Sequence, residues 1–382
     1  MFVVEYLKKT ILSIDYFIVA IVCTLAIFGI VVISSITGGN SNLNLTTQQQ
    51  FAFVSGLFLF FVFSVIDYKF ITKFYWFIYV LNIGLIIAVI FFGTPTAIGG
   101  AMRDIRLPFL GGFGIQPSQY AKIFMIIFLA TFIEKYNEKI NNPIILLLIS
   151  ALIALPTILI FRQPSLSASM VIMLISVTMV FLGGLSYKII LTALSAIVPT
   201  LVLVYLDLSR GYDNYIFIDR IVQPFHIRRL TQFFDDSLHF QTYQSQRALG
   251  SGQLTGQGFN SGIISQAGNL PEAHNDFIFA VIGEEFGFIG ANIVLFVMFI
   301  LIIKCILVAV KADTLRGKLI ASGVASMLFY QTFIHVGVVT DILPNTGITL
   351  PFVSYGGTSM WMLMISMGIV MNIHINKVNK IL

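Results

Sequence analysis

The chain has 382 residues, of which 57% are hydrophobic and 10% charged, with a formal net charge of +5 and a mean hydropathy of +0.93. Globular domains carry roughly 25% charged residues, so this composition excludes a soluble protein and describes an integral membrane protein, with no nucleic-acid partner expected. Continuous apolar runs of about 20 residues, and not alternating strands of about 10, make it all-α.

Breakers between the apolar runs predict ten transmembrane helices in a single polytopic domain over residues 1–382: Ile14 to Ile36, Phe51 to Ile66, Phe74 to Phe92, Gln119 to Ile133, Pro143 to Phe161, Leu166 to Gly184, Tyr187 to Leu206, Phe277 to Val310, Lys318 to Ile342 and Gly357 to Ile375. The first run is too long for a signal-peptide h-region and is expected to remain as the first span. Cys23 and Cys305 fall within apolar runs on different helices, so they indicate neither a disulfide framework nor a metal cluster. Lys8, Lys9, Lys69, Lys73, Lys135, Lys139, Lys188, Lys311, Lys318, Lys377 and Lys380 collect on one side, which predicts cytoplasmic termini. Arg103, Arg106, Arg162, Arg210, Arg220, Arg228, Arg229 and Arg247 fall on the other side, and guanidinium groups suit bidentate recognition of phosphate. Either they bind an external anionic ligand or they pair with nearby aspartates and knit the loops.

Ahead of the fourth span lie Arg103, Arg106 and Gln116-Pro117-Ser118-Gln119-Tyr120-Ala121-Lys122. Lys122 is placed at membrane depth, where an ionisable group is costly and marks a functional site unless it snorkels to the interface. A long external loop, residues 207–275, follows the seventh span, and loops of that length are usually functional. Its Gly-rich part, Leu249 to Phe259, lacks the Gly-Lys-Ser/Thr ending of a P-loop, so nucleotide binding is rejected and tight turns beside a ligand are expected.

Asn269 with Glu272 three places on predicts a helix N-terminus. Glu272 and Asp276 then share a face with Ala280, Gly283, Gly287 and Ala291, a small-residue stripe that lets helices approach closely. Asp276 either faces a cavity on that packed side or only caps the helix. The span it opens is 34 residues, about 51 Å at ~1.5 Å each, so Glu284 and Glu285 are expected near the outer interface. Pro344 to Ser359, with its prolines and glycines, is non-helical backbone at the rim of the same cavity, which makes Ser354 and Tyr355 candidate substrate contacts.

Three segments together resemble the SEDS family (RodA, FtsW and SpoVE): Gln116 to Lys122, Leu270 to Ala280 with Gly283-Glu284-Glu285, and Gly347 to Gly357. The resemblance covers nearly the whole chain. It implies a peptidoglycan glycosyltransferase of the bacterial cytoplasmic membrane that polymerises lipid II, an undecaprenyl-pyrophosphate-linked disaccharide peptide, at the outer face beside a class B penicillin-binding protein. The family's essential aspartate corresponds to Asp276. Gln119 stands where the family usually has glutamate, and Ser165 and Ser167 stand in place of its Pro-Asp-x-Gly pattern.

Such a reaction needs a base for the attacking hydroxyl and positive charge for the departing pyrophosphate. Asp276 is assigned to the first, with His274 and Glu272 beside it. Arg103, Arg106 and Arg210 are assigned to the second, and Lys122 to the cavity. A helix N-terminus would lower the pKa of Asp276, whereas desolvation and Glu272 would raise it. Alternatively Asp276 holds a divalent cation, Mg or Mn, that carries the pyrophosphate. A lipid-linked precursor flippase and an inactive scaffold for a transpeptidase are the competing readings.

Overall fold

The computed structural model describes residues 12–37, 43–95, 102–106, 114–163, 165–189 and 240–381, with 191, 192, 195 and 202. Its helices are α1 Tyr16–Thr37, α2 Leu43–Val65, α3 Tyr68–Lys73, α4 Tyr75–Phe92, α5 Pro117–Lys135, α6 Pro143–Arg162, α7 Leu166–Leu182, α8 Phe240–Ser251, α9 Ile263–Gln266, α10 Ile278–Lys311, α11 Leu315–Val339 and α12 Gly357–Ile381. Seven of these are long and apolar enough to cross a membrane: α1, α2, α4, α6, α10, α11 and α12. The fourth and sixth predicted spans are α5 and α7, whereas the seventh, from Tyr187, falls largely outside the described residues, as do positions 207–239 of the long loop.

The second span starts earlier than its apolar run suggests, because the polar residues Thr46 to Gln50 are already helical. Short strands also precede α5. β1 Thr94–Pro95, β2 Met102–Arg106 and β3 Gly114–Ile115 pair antiparallel, with Thr94 opposite Asp104 and Ile105 opposite Ile115.

The bundle has two chemically distinct ends. At one end, side-chain caps start the helices: Asp67 accepts from the Lys69 amide, Asn142 from that of Ile144, and Thr314 from that of Gly317. There Arg316 binds Glu134 through Nε at 2.6 Å, Lys304 binds Asp15 at 3.1 Å, and Lys377 binds Asp313 at 2.7 Å. Asn372 bridges α2 and α3 by donating to the Ser64 carbonyl and accepting from the Tyr68 amide. The other end gathers the sheet, α8, α9, the residues before α10 and the irregular segment before α12.

Between the ends, α5, α11 and α12 form the most buried layer, whereas α2, α4, α6 and α10 turn Phe58, Phe77, Leu147 and Phe296 outward. Small residues set the close approaches. A Cβ at Gly368 would lie 2.6 Å from the Phe60 carbonyl oxygen, so α12 rides directly on the α2 backbone.

Candidate functional site

Asp276 does not sit in the helix that the sequence suggests from Asn269, because α10 begins only at Ile278. Glu272 adopts φ +54°, in the left-handed region, which breaks a right-handed turn. Its carbonyl instead gathers the amides of Asn275 at 3.0 Å, Asp276 at 3.1 Å and Phe277 at 3.4 Å. Glu272 and Asp276 therefore belong to a tight turn and not to one helix face. The Glu272 carboxylate accepts from Asn275 Nδ2 at 3.0 Å and stands 3.8 Å from His274 Nε2. Burial pushes the His274 pKa down, and the Glu272 charge opposes that shift without overcoming it.

The irregular segment before α12 buckles this turn in place. The Tyr355 amide donates to the His274 carbonyl at 2.9 Å, and the Ser354 hydroxyl donates to the Asn275 carbonyl at 2.8 Å while accepting from the Leu350 amide at 2.7 Å. The Ser354 hydroxyl is thus spent on bracing. The His274 and Tyr355 rings meet edge to face, 5.6 Å apart. From α2, Gln49 donates to the Ser354 carbonyl at 3.2 Å and accepts from the Gly356 amide at 3.0 Å, and the Tyr355 hydroxyl bonds Gln48. Gln48 and Gln49 were missed from the sequence, although amides inside an apolar helix are a usable signal. Gly29 of α1 lies so close to this segment that a Cβ would sit 2.4 Å from the Val353 oxygen.

Lys122 does not snorkel: it is only 3% exposed. Its Nζ donates to Gln119 Oε1 at 2.6 Å, so the amide that replaces the family's glutamate still serves as acceptor. The chain of bonds continues from Gln119 Nε2 to Gln116 Oε1 at 3.0 Å and from the Gln116 amide to Thr358 of α12. Ser167 donates to the Gly347 carbonyl at 3.0 Å, which ties α7 to the same irregular segment.

The small-residue stripe on α10 also has a different meaning from the one read in the sequence. Gly287 has φ +68° and ψ −171°, and the helix is broken there. Phe288 and Ile289 would otherwise bond the carbonyls of Glu284 and Glu285. Instead, Phe288 N–H donates to Gln253 at 2.8 Å and Ile289 N–H to Leu254 at 3.1 Å, while the Glu284 and Glu285 carbonyls accept from Gln257 at 2.9 Å and Gly258 at 3.0 Å. The Gly-rich residues splice the break, and Gly256 and Gly258 make the expected tight turns at φ +84° and +102°. A Cβ at Gly252 would fall 1.8 Å from the Gly283 oxygen, and one at Gly256 2.2 Å from the Glu285 oxygen. Glu284 and Glu285 are buried within the protein. Glu284 accepts from the amides of Ile264 at 2.7 Å and Ser265 at 3.1 Å.

Arg103 and Arg106 lie on β2, at the same end as the Asp276 turn, but their side chains are outside the described residues, as is all of Arg210. Arg162 closes α6 at this end, and Arg247 lies on α8. Among the described residues no three His, Cys, Asp or Glu side chains converge as a metal cage.

The chain is 33% identical to the probable peptidoglycan glycosyltransferase FtsW of Bacillus subtilis over 96% of its length and 92% of that protein. It is 34% identical to the peptidoglycan glycosyltransferase MrdB of Escherichia coli over 79% of its length and 78% of that protein, and 31% identical to the stage V sporulation protein E of B. subtilis over 85% of each. A chain of a peptidoglycan synthase complex superposes with a TM-score of 0.77 at 24% identity, covering 95% of this chain and 98% of that one. RodA of Thermus thermophilus superposes at 0.67 and 23% identity, over 94% and 96%. The profile described as cell cycle protein, FtsW/RodA/SpoVE, matches residues 11–379, and the chain belongs to that family, the SEDS proteins.

Proposed function

We propose that the protein is a peptidoglycan glycosyltransferase that polymerises lipid II into glycan strands, with Asp276 as the base. The observation that carries this reading is the Asp276 turn itself: a carboxylate on a left-handed loop, clasped by α2 and the segment before α12, in a chain whose relatives bear that activity in their names. Asp276 takes the proton of the attacking sugar hydroxyl, and its fixed backbone leaves little reorganisation for the reaction. Arg103, Arg106 and Arg210 attract the lipid pyrophosphate, with the buried Lys122 behind them. Glu272 and His274 hold the turn's shape beside the acceptor sugar, and the Tyr355 ring closes over His274.

Alternatively, Asp276 would hold a divalent cation, Mg or Mn, that would supply positive charge for the pyrophosphate leaving group. The site end faces outward and both termini face the cytoplasm. The helix ends that carry Lys69, Lys73, Lys135, Lys139, Lys311, Lys318 and Lys377 all lie opposite the site and support that orientation. A class B penicillin-binding protein crosslinks the strands.

The test is purified protein with lipid II, with and without Mg or Mn, and separation of the products by length. Wild type is expected to make a ladder and folded Asp276→Asn none. Undiminished polymer from that variant would remove Asp276 from the mechanism.

A further inference from the structure

Residues 240–266 run across three helix ends. α8 meets the end of α11, where Ser245 Oγ donates to the Val339 carbonyl at 2.9 Å. The Gly-rich stretch splices the α10 break, and Gln266 of α9 donates to the Ser35 carbonyl of α1 at 2.8 Å. This strap exposes several large apolar side chains. It buries Thr242, Gln244 and Ser245 and turns Phe240, Tyr243, Leu254, Phe259 and Ile263 outward, with Leu254 66% and Ile263 73% exposed.

That outward face is continuous with the bilayer-facing surface of α10. Ile289 N–H bonds the Leu254 carbonyl, which sets Leu254 beside exposed Phe288 and Ile289, and the exposed row continues along α10 through Ile293, Phe296 and Phe299. Depth agrees. The 24 residues from Phe288 to Lys311 rise about 36 Å, close to a hydrocarbon core of about 30 Å, so the break at Gly287 sits at its boundary. Arg247 is exposed and lies 5.7 Å over the Tyr243 ring, a cation and an aromatic paired at the depth where both are favoured and where phosphate is at hand.

We propose that residues 240–266 lie in the headgroup-to-acyl boundary of the membrane, with phospholipid as the occupant of their outward apolar face. The strap also exposes Gln246, Gln253, Thr255 and Asn260, and large apolar side chains exposed among polar ones are favourably placed at the headgroup boundary. The proposal does not depend on the reaction that the protein performs.

The test uses the full chain carrying Trp76→Phe and Trp361→Phe, reconstituted in phosphatidylcholine and phosphatidylglycerol vesicles with brominated acyl chains. Single tryptophans are placed by Leu254→Trp, Phe259→Trp or Ile263→Trp, with Phe296→Trp as the bilayer reference and Glu138→Trp as the aqueous one. Fluorescence at the three strap positions is expected to fall in brominated vesicles to an extent approaching that of Phe296→Trp. Quenching no greater than that of Glu138→Trp overturns the proposal, whether the face is then left to water or to another protein. On the unaltered protein, a diazirine phospholipid is expected to leave adducts on residues 240–263, and adducts confined to the spanning helices would equally overturn it.

Discussion

The two ends of the bundle solve the same problem, polar groups against an apolar interior, by different means. At the lysine-rich end, charge meets charge: Arg316 with Glu134, Lys304 with Asp15, Lys377 with Asp313. At the Asp276 end the backbone does the holding. The left-handed Glu272, the amides gathered on its carbonyl and the spliced break at Gly287 act through main-chain groups, and the side chains of Ser354 and Gln49 bond main-chain groups in turn. Bonds that end on main-chain groups fix the path of a loop without a matched pair of charges. Paired charges, by contrast, join distant segments at the lysine-rich end.

Substitutions break or sharpen this contrast. The largest effect is expected for Asp276→Asn, which should lower polymerisation by the folded protein on the order of 10²- to 10⁴-fold, read from product ladders. Gly252→Ala should cost about 3 kcal/mol and also depress activity, because its methyl would meet the Gly283 oxygen at 1.8 Å and neither backbone can give way. If Gly252→Ala were neutral in unfolding experiments, the backbone splice would lose its role. Arg316→Ala should cost about 2 kcal/mol, since it strands a half-buried Glu134, but leave turnover per folded molecule unchanged.

The smallest effect concerns pH. The folded protein depresses the His274 pKa, so the unfolded chain binds that proton first, and stability falls as pH drops below about 6.5. His274→Gln should flatten that acid limb by less than about 1 kcal/mol, seen as a shallower fall in melting temperature between about pH 7 and 5. A steeper fall would reverse the sign of the assignment.

Much of the architecture was legible in the sequence, because apolar runs of bilayer length record a constraint that each segment meets by itself. The motifs around Gln116, Asp276 and Ser354 also led to one end of the bundle. What the sequence hid depends on partners distant along the chain. Asn269 and Glu272 read as a capping pair, but Glu272 is left-handed, Ser354 and Tyr355 clasp the carbonyls of Asn275 and His274 after it, and the helix starts only at Ile278. Gly287 read as one more small residue on a packing face. It is a break because residues 253–258 supply the hydrogen bonds that the helix gives up. Glu284 read as an interfacial acid, and only the amides of Ile264 and Ser265 explain why it is buried. Gln119 looked like a lost partner for Lys122, although an amide oxygen is an acceptor too.

The splice at Gly287 bears on how this protein can change over time. Bonds made by main-chain atoms are indifferent to most side chains, so individual side chains of the strap can change, within an apolar outward face, while its path is kept. Length is another matter: a single codon gained or lost between Gly252 and Gly258 would throw four hydrogen bonds out of step at once. Descendants of this chain should therefore vary in spelling there long before they vary in spacing.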